Sequence, residues 1–243
     1  VIRLGFIYPG GGAEQDYYSF GERHDFRMFL VGSRIPGGDD HAVEALLQTA
    51  RVKNLIEAAG RFATLDPAVV VWACTSGSFI VGRAGAEAQV AALRTATGRP
   101  ATSTALAIVD GLTALGAHRV AVVATYPEPA ARALVAFLDA FGIAVASLQW
   151  LDAPNGLDAA AIGEDRLMAA VRQAIIGKPD VVVIPDTALP TMELVERLEA
   201  MAGCPVVTAN QATLWAAVGL AGQAVSAAGQ GRLFTLAFKE WRT

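Results

Sequence analysis

The sequence predicts an α/β protein of two pseudosymmetric, Rossmann-like lobes, with mostly parallel sheets and a ligand cleft between them. Three observations predict it. Short β-branched runs alternate with Ala/Leu/Glu-rich amphipathic segments, the pattern of strands joined by helical crossovers. Several of those runs are unbroken Val/Ile stretches, as strands covered by helices on both faces require. Finally, the order strand, polar residue, helix, Gly-x-Pro turn, strand, helix occurs twice along the chain. In that repeat Val69-Val70-Val71-Trp72-Ala73-Cys74-Thr75 is echoed by Val181-Val182-Val183-Ile184-Pro185-Asp186-Thr187, and Gly98-Arg99-Pro100 by Gly203-Cys204-Pro205.

Taken in order, the strands expected are Ile2–Tyr8, Phe26–Ser33, Ala68–Ala73, Ala101–Thr102, Arg119–Ala124, Ala144–Trp150, Val181–Ile184 and Pro205–Thr208. Helical periodicity is read over Ala42–Ala59, Ala84–Thr97, Thr104–Leu115, Pro129–Phe141, Glu164–Gly177, Thr191–Ala202 and Gln211–Leu220. Gly60, Gly98, Gly116, Gly142 and Gly177 stand where C-terminal caps are expected. The whole of residues 1–243 is read as one compact unit. Lobe 1 takes residues 1–115 plus 210–243, and lobe 2 takes residues 116–209.

Composition excludes several classes. The chain has 243 residues, 53% hydrophobic and 17% charged, with a net charge of −4, so it is not intrinsically disordered. Its two cysteines cannot staple a disulfide scaffold, and neither lies in a metal-ligand spacing. Without Lys/Arg clusters, nucleic acid is not an expected partner. The uncharged stretch from Ala200 to Gly231 is broken by Pro205, Thr208, Asn210, Gln211 and Gln223, so it reads as strand, loop and helix rather than as a membrane span. No charged segment followed by an apolar one opens the chain, so the expectation is no signal peptide and a cytoplasmic location. Self-association into a homo-oligomer stays open.

Cys74 ends a buried strand and is followed by Thr75-Ser76-Gly77-Ser78 and a helix. Backbone N–H groups at such a start bind carboxylates and stabilise enolates, and their field favours a thiolate. Asp186 holds the matching position in the second half and, next to a bound carboxylate, could serve as acid or base; capping the following helix is its blander use. Tyr126 follows the Arg119–Ala124 strand and points toward the same strand-end cleft, where it could donate to a carboxylate or simply pack on Pro127. Gly10-Gly11-Gly12 lacks the spacing of a dinucleotide or phosphate loop, so close backbone approach to a small ligand is its better use. Cys204, at a different point of the repeat, reads as a bystander. His24, His41 and His118 form no triad or metal set. Glu193, Glu196, Arg197 and Glu199 read as a solvated helix face.

With these residues in view, the chain resembles the aspartate/glutamate/hydantoin racemase superfamily, and within it the arylmalonate decarboxylase and maleate cis-trans isomerase group. The resemblance rests on Cys74–Ser78, on Thr97-Gly98-Arg99-Pro100 with Thr102-Ser103-Thr104, and on Leu112–Ala121. Ala124-Thr125-Tyr126, Asn210-Gln211-Ala212 and Trp215 add to it. It implies two α/β lobes, no cofactor, no metal, and chemistry at the carbon beside a carboxylate. It also implies two catalytic groups at matching positions, here Cys74 and Asp186, the latter where the family usually has a second cysteine. Thr75, Ser76 and Tyr126 match its carboxylate-holding hydroxyls; Thr187, Gly11 and Gly12 are the further expected contacts to a small carboxylate substrate. The asparagine that related isomerases carry near Gly12 is absent.

On this reading an arylmalonate-decarboxylase-like reaction comes first, with Cys74 protonating an enediolate and Trp72, Phe79, Leu189 and Met192 as apolar lining. Isomerisation with Cys74 as nucleophile comes second, and racemisation or epimerisation by Cys74 and Asp186 third. A non-catalytic carboxylate-binding protein is the alternative from another class.

Overall fold

The computed structural model describes residues 1–35, 38 and 40–240; residues 241–243, at the end of the segment expected in lobe 1, lie outside them. The first half runs β1 (Ile2–Tyr8), α1 (Glu14–His24), β2 (Phe26–Gly32), α2 (Val43–Thr49), α3 (Val52–Ala59), β3 (Val69–Trp72), α4 (Ser76–Phe79), α5 (Gly82–Thr97), β4 (Ala101–Ser103) and α6 (Thr104–Ala114). The second half runs β5 (Arg119–Ala124), α7 (Glu128–Asp139), β6 (Ala144–Trp150), α8 (Gly156–Ala160), α9 (Glu164–Ala174), β7 (Val181–Ile184), α10 (Val195–Ala202), β8 (Val206–Thr208) and α11 (Ala209–Leu220).

The strands form two four-stranded sheets, β2-β1-β3-β4 and β6-β5-β7-β8, and every pairing is parallel. The second order is the first with four added to each number, so the internal repeat extends through all eight strands. The central strands β3 and β7 are buried at every residue. Each such Val or Ile contributes about 1.5–3 kcal/mol by leaving water, which is why these runs carry no alternation of polar residues.

Helices α6 and α11 sit between the halves. Both are buried over nearly their whole circumference, from Thr104 to Leu112 and from Ala209 to Val218, as an apolar helix without a polar face must be. They pack on each other, with Thr104 Oγ1 and Thr213 Oγ1 2.6 Å apart. Helix α11 also packs on β3 and β4, and α6 on β8, so each crosses to the opposite sheet. Their starts are built alike. Ser103 Oγ accepts from Leu106 N at 3.4 Å and Thr208 Oγ1 from Gln211 N at 3.4 Å. Ser103 is tied in turn to Ser78 (2.7 Å), and Thr208 to Thr191 (2.9 Å).

Several elements depart from expectation. Helix α1 was not foreseen: its inward face is Asp16, Tyr17, Phe20 and Gly21, too polar to read as an apolar stripe. The single helix expected over Ala42–Ala59 is two, because Asn54 Nδ2 donates to Gln48 O at 2.9 Å and so takes a carbonyl of the end of α2. Gly98, Gly116 and Gly142 do close helices with left-handed φ of +64°, +66° and +75°. Gly60 does not, since its φ of −56° carries the chain on into a 3₁₀ turn. Gly177 likewise lies inside a 3₁₀ turn, and Lys178 takes the left-handed position.

Candidate active site

In a parallel sheet every strand delivers its carboxyl end to the same edge, and in open α/β sheets that edge is where ligands bind. Four such ends supply the site: Tyr8–Gly12 after β1, Cys74–Ser78 after β3, Thr125-Tyr126 after β5 and Asp186-Thr187 after β7. Tyr126 reports on how they meet. Its hydroxyl is pushed well above the usual tyrosine range, first by burial and then by the charges of Asp186 and Cys74. One ring thus lies within electrostatic reach of both expected catalytic groups.

Cys74 is 5% exposed. Its sulfur accepts the Gly77 N–H at 3.3 Å and lies 3.7 Å from Ser76 Oγ. Only glycine fits at position 77, because a Cβ there would stand 2.8 Å from the Trp72 ring and 3.1 Å from Cys74 Sγ. The loop is held from behind by Gln89, whose Nε2 donates to Gly77 O and to Ala50 O, each at 2.8 Å. Thr75 Oγ1 is buried and meets hydrogen-bond geometry with no protein group, although Tyr126 lies close enough for its hydroxyl to feel it. Trp72 is wholly buried beneath this loop, and Phe79 packs edge-on to Tyr126 at 5.5 Å between centroids.

Asp186 is 3% exposed and is met by donors on both oxygens. Thr125 Oγ1 donates to Oδ2, and Ala188 N donates to Oδ1 at 2.9 Å. The carbonyls on either side of it are clamped by two tyrosines. Tyr126 Oη donates to Pro185 O at 3.0 Å, and Tyr8 Oη, from the other sheet, donates to Thr187 O at 3.2 Å. The Tyr126 proton expected for a substrate carboxylate is therefore engaged with Pro185 in this state. Tyr8 also accepts from Ala13 N at 3.3 Å, which ties the glycine loop to the Asp186 loop.

That glycine loop approaches protein rather than open space. At Gly12, φ is +123° and a Cβ would stand 2.5 Å from Ala160 Cβ on α8, while Gly12 N donates to Glu14 Oε2 at 3.1 Å. Gly11 also has a left-handed φ, +119°. On the other flank His41, expected on a polar segment, is buried. Its Nδ1 lies 3.0 Å from Ala153 O, and its ring stands edge-on to Tyr126 with centroids 5.0 Å apart.

The structure thus gathers Cys74, Thr75, Ser76, Tyr126, Asp186, Thr187 and Gly12 around the strand ends. Cys204 lies apart and half-buried, its thiol pushed up mainly by burial. Glu199, expected on a solvated face, is buried: its carboxylate accepts Val206 N at 3.2 Å and Arg232 N at 3.0 Å, fastening the C-terminal segment to α10 and β8. Four residues were missed: Tyr8, Asp16, His41 and Asn210 as a polar linker. Asp16 Oδ2 accepts from Thr191 N (2.9 Å) and Asn210 Nδ2 (2.8 Å), and Tyr17 Oη donates to Asn210 Oδ1 (3.1 Å). The only signal in the sequence was Asp16 in a run otherwise able to bury tyrosines. Among the described residues no group of His, Cys, Asp and Glu is placed to hold a metal, and no helix is long and apolar enough to cross a membrane.

A thiol and a carboxylate at matching strand ends of two repeated parallel sheets define the class: an enzyme of the Asp/Glu racemase type, of the decarboxylase or isomerase kind. Within that class the chain belongs to the arylmalonate decarboxylase family, whose profile it matches over residues 47–234. It is 32% identical over 207 residues to arylmalonate decarboxylase of Bordetella bronchiseptica, covering 84% of this chain and 82% of the relative. It is 33% identical over 195 residues to maleate isomerase of Nocardia farcinica, covering 80% of this chain and 70% of the relative. A crystal structure of the Nocardia farcinica maleate cis-trans isomerase, in a variant with one cysteine replaced by serine and a covalently bound succinylcysteine intermediate, superposes with a TM-score of 0.88. That alignment covers 96% of this chain and 98% of the other at 26% identity.

Proposed function

We propose that the protein is a cofactor-independent decarboxylase of α-substituted malonates, with Cys74 as the proton donor. One observation carries the reading: the strand-end site holds a single thiol, and the matching position across the repeat holds a carboxylate, Asp186. Decarboxylation needs one acid only.

In this scheme Thr75 and Ser76, with Thr187 and the backbone of Gly11, hold one carboxylate of the malonate. The other lies against Phe79, Leu189 and Met192, all buried. The bond from Cα to that second carboxylate breaks, CO2 departs, and the electron pair spreads into the retained carboxylate as an enediolate. Hydrogen-bond donors placed at that carboxylate stabilise the developing charge without reorganising. The Cys74 S–H proton passes to Cα, giving the monoacid, and solvent reprotonates the thiolate as product leaves. The Gly77 N–H, 3.3 Å from the sulfur, steadies the transient thiolate.

A second reading has its own support. The Nocardia farcinica isomerase holds a succinylcysteine although another of its cysteines is replaced by serine. A covalent cysteine intermediate is thus present in that relative with one cysteine replaced, and Cys74 could act likewise as nucleophile. Incubation in D2O with 2-methyl-2-phenylmalonate, maleate and a chiral 2-arylpropionate, followed by NMR, separates the readings. Loss of CO2 with one deuterium at Cα supports the decarboxylase, and Cys74→Ala should then lower turnover by about 10²–10⁴-fold. Fumarate from maleate, without malonate turnover, overturns it in favour of the isomerase; α-deuteration of the arylpropionate alone overturns it in favour of a racemase.

A further inference from the structure

We infer that Asp186 recognises a substrate ammonium group, so that the preferred substrates are α-aminomalonates and the products α-amino acids. The inference rests on the decarboxylase reading for its reaction and on the surroundings of Asp186 for its substrate class. Asp186 is 3% exposed, and its two recorded hydrogen bonds both come from donors, Thr125 Oγ1 and Ala188 N. Ala188 N can only donate, and Thr125 Oγ1 is placed to donate, so both carboxylate oxygens are met as acceptors. Two further donors that could have served it are turned elsewhere, Tyr8 to Thr187 O and Tyr126 to Pro185 O. Among the described residues the ion pairs all lie on other carboxylates: Glu193, Glu87, Glu240, Asp66, Glu128 and Glu164.

A carboxylate offers about four acceptor directions, and two are filled here. A buried charge left without a cation is costly, and its pairing is the main way to offset that cost. A second carboxylate brought to this place by a plain malonate would add repulsion. An ammonium on Cα removes the repulsion and donates to the open acceptor directions of Asp186. Meanwhile the two carboxylates take the positions already assigned. The reaction stays balanced: the bond from Cα to one carboxylate breaks, CO2 leaves, the electron pair remains on Cα and its retained carboxylate, and the Cys74 proton adds there. The ammonium is unchanged.

An isosteric pair tests this, because an ammonium and a methyl group have nearly the same shape. Wild-type enzyme is given 2-amino-2-phenylmalonate or 2-methyl-2-phenylmalonate, with CO2 release measured, and the binding of phenylglycine and 2-phenylpropionate is measured by calorimetry. The expected result is a kcat/KM at least about tenfold higher for the amino substrate, the worth of one charge-assisted hydrogen bond. Phenylglycine should likewise bind more tightly than 2-phenylpropionate. Asp186→Asn should abolish both preferences. Equal or reversed preference in the wild type overturns the inference, and that arm does not depend on the variant folding. If neither malonate reacts but the wild type still selects phenylglycine, the decarboxylase reading fails and ammonium recognition by Asp186 stands. If the malonates react without selection, the reverse holds.

Discussion

Cys74 lies at a strand end where Gly77 leaves room for its sulfur. Gly77 gives its N–H to the thiol and could not carry a side chain, and Ser76 stands beside it. Cys204 has no such setting, and burial pushes its thiol up. Iodoacetamide at pH 7 should therefore modify Cys74 first, with Cys204 much slower, and an α-substituted malonate should protect Cys74. Peptide mapping by mass spectrometry reads both sites; equal slow labelling would remove the case for an activated thiol. Cys74 and Asp186 were legible in the sequence because each is a polar residue ending a run of valines. The role of Tyr8 was not, since the carbonyl it reaches, Thr187 O, lies 179 positions away and is set by tertiary structure alone. His41 was hidden for the same reason: its partners, Ala153 and Tyr126, belong to the other half of the chain.

Among the elements, α6 and α11 join the two halves, and their starts are the points of greatest similarity between them. Ser103 caps α6, and Thr208 caps α11 in a full capping box with Gln211. Replacing either by Ala should cost about 1 kcal/mol, with Thr208→Ala the larger because it also removes a buried methyl group, while Gln211 keeps the Thr208 N–H. Urea denaturation of the two variants measures it; a Ser103→Ala loss exceeding that of Thr208→Ala would contradict the ranking. Strands were read nearly to the residue, and for β3 and β7 the reason is that a strand buried on both faces needs an unbroken apolar run. Helix α1 was not read, because a helix that buries Asp16 and Gly21 carries no apolar stripe. The break between α2 and α3 was equally silent, as it depends on where one Asn54 side chain finds its carbonyl.

At the scale of the whole molecule the two halves are held together beside the site by polar ties, and Asp16 is the most exacting of them. It reaches from α1 to Thr191 N, Met192 N and Asn210 on the other side. Burial is the largest influence on its carboxyl and raises it above the ordinary value of 3.8, against the pull of those three donors. The folded protein thus holds this proton more tightly than the unfolded chain does. Its contribution to stability is present in full below that ordinary value and is lost as the pH rises through the raised one. Asp16→Asn removes this titration while keeping an acceptor oxygen, so the variant should gain stability relative to wild type as pH rises from 3.5 to 7. Thermal melts across that range test it; a difference independent of pH would contradict the assignment. The repeated architecture was visible from its second strand-and-turn pair onward. That it extends to β1, β2, β5 and β6 was not, because those strands share order and direction but little sequence.

The account rests on Cys74 and Asp186 standing on opposite sides of one bound α-carbon. A crystal structure of the Cys74→Ala variant with 2-methyl-2-phenylmalonate tests this most directly. The prediction is one carboxylate within hydrogen-bond distance of Thr75 and Ser76, with Cα between residue 74 and Asp186 and close enough to residue 74 to take a proton from a thiol there. A ligand bound away from these strand ends, or with residue 74 and Asp186 on the same side of Cα, would contradict it.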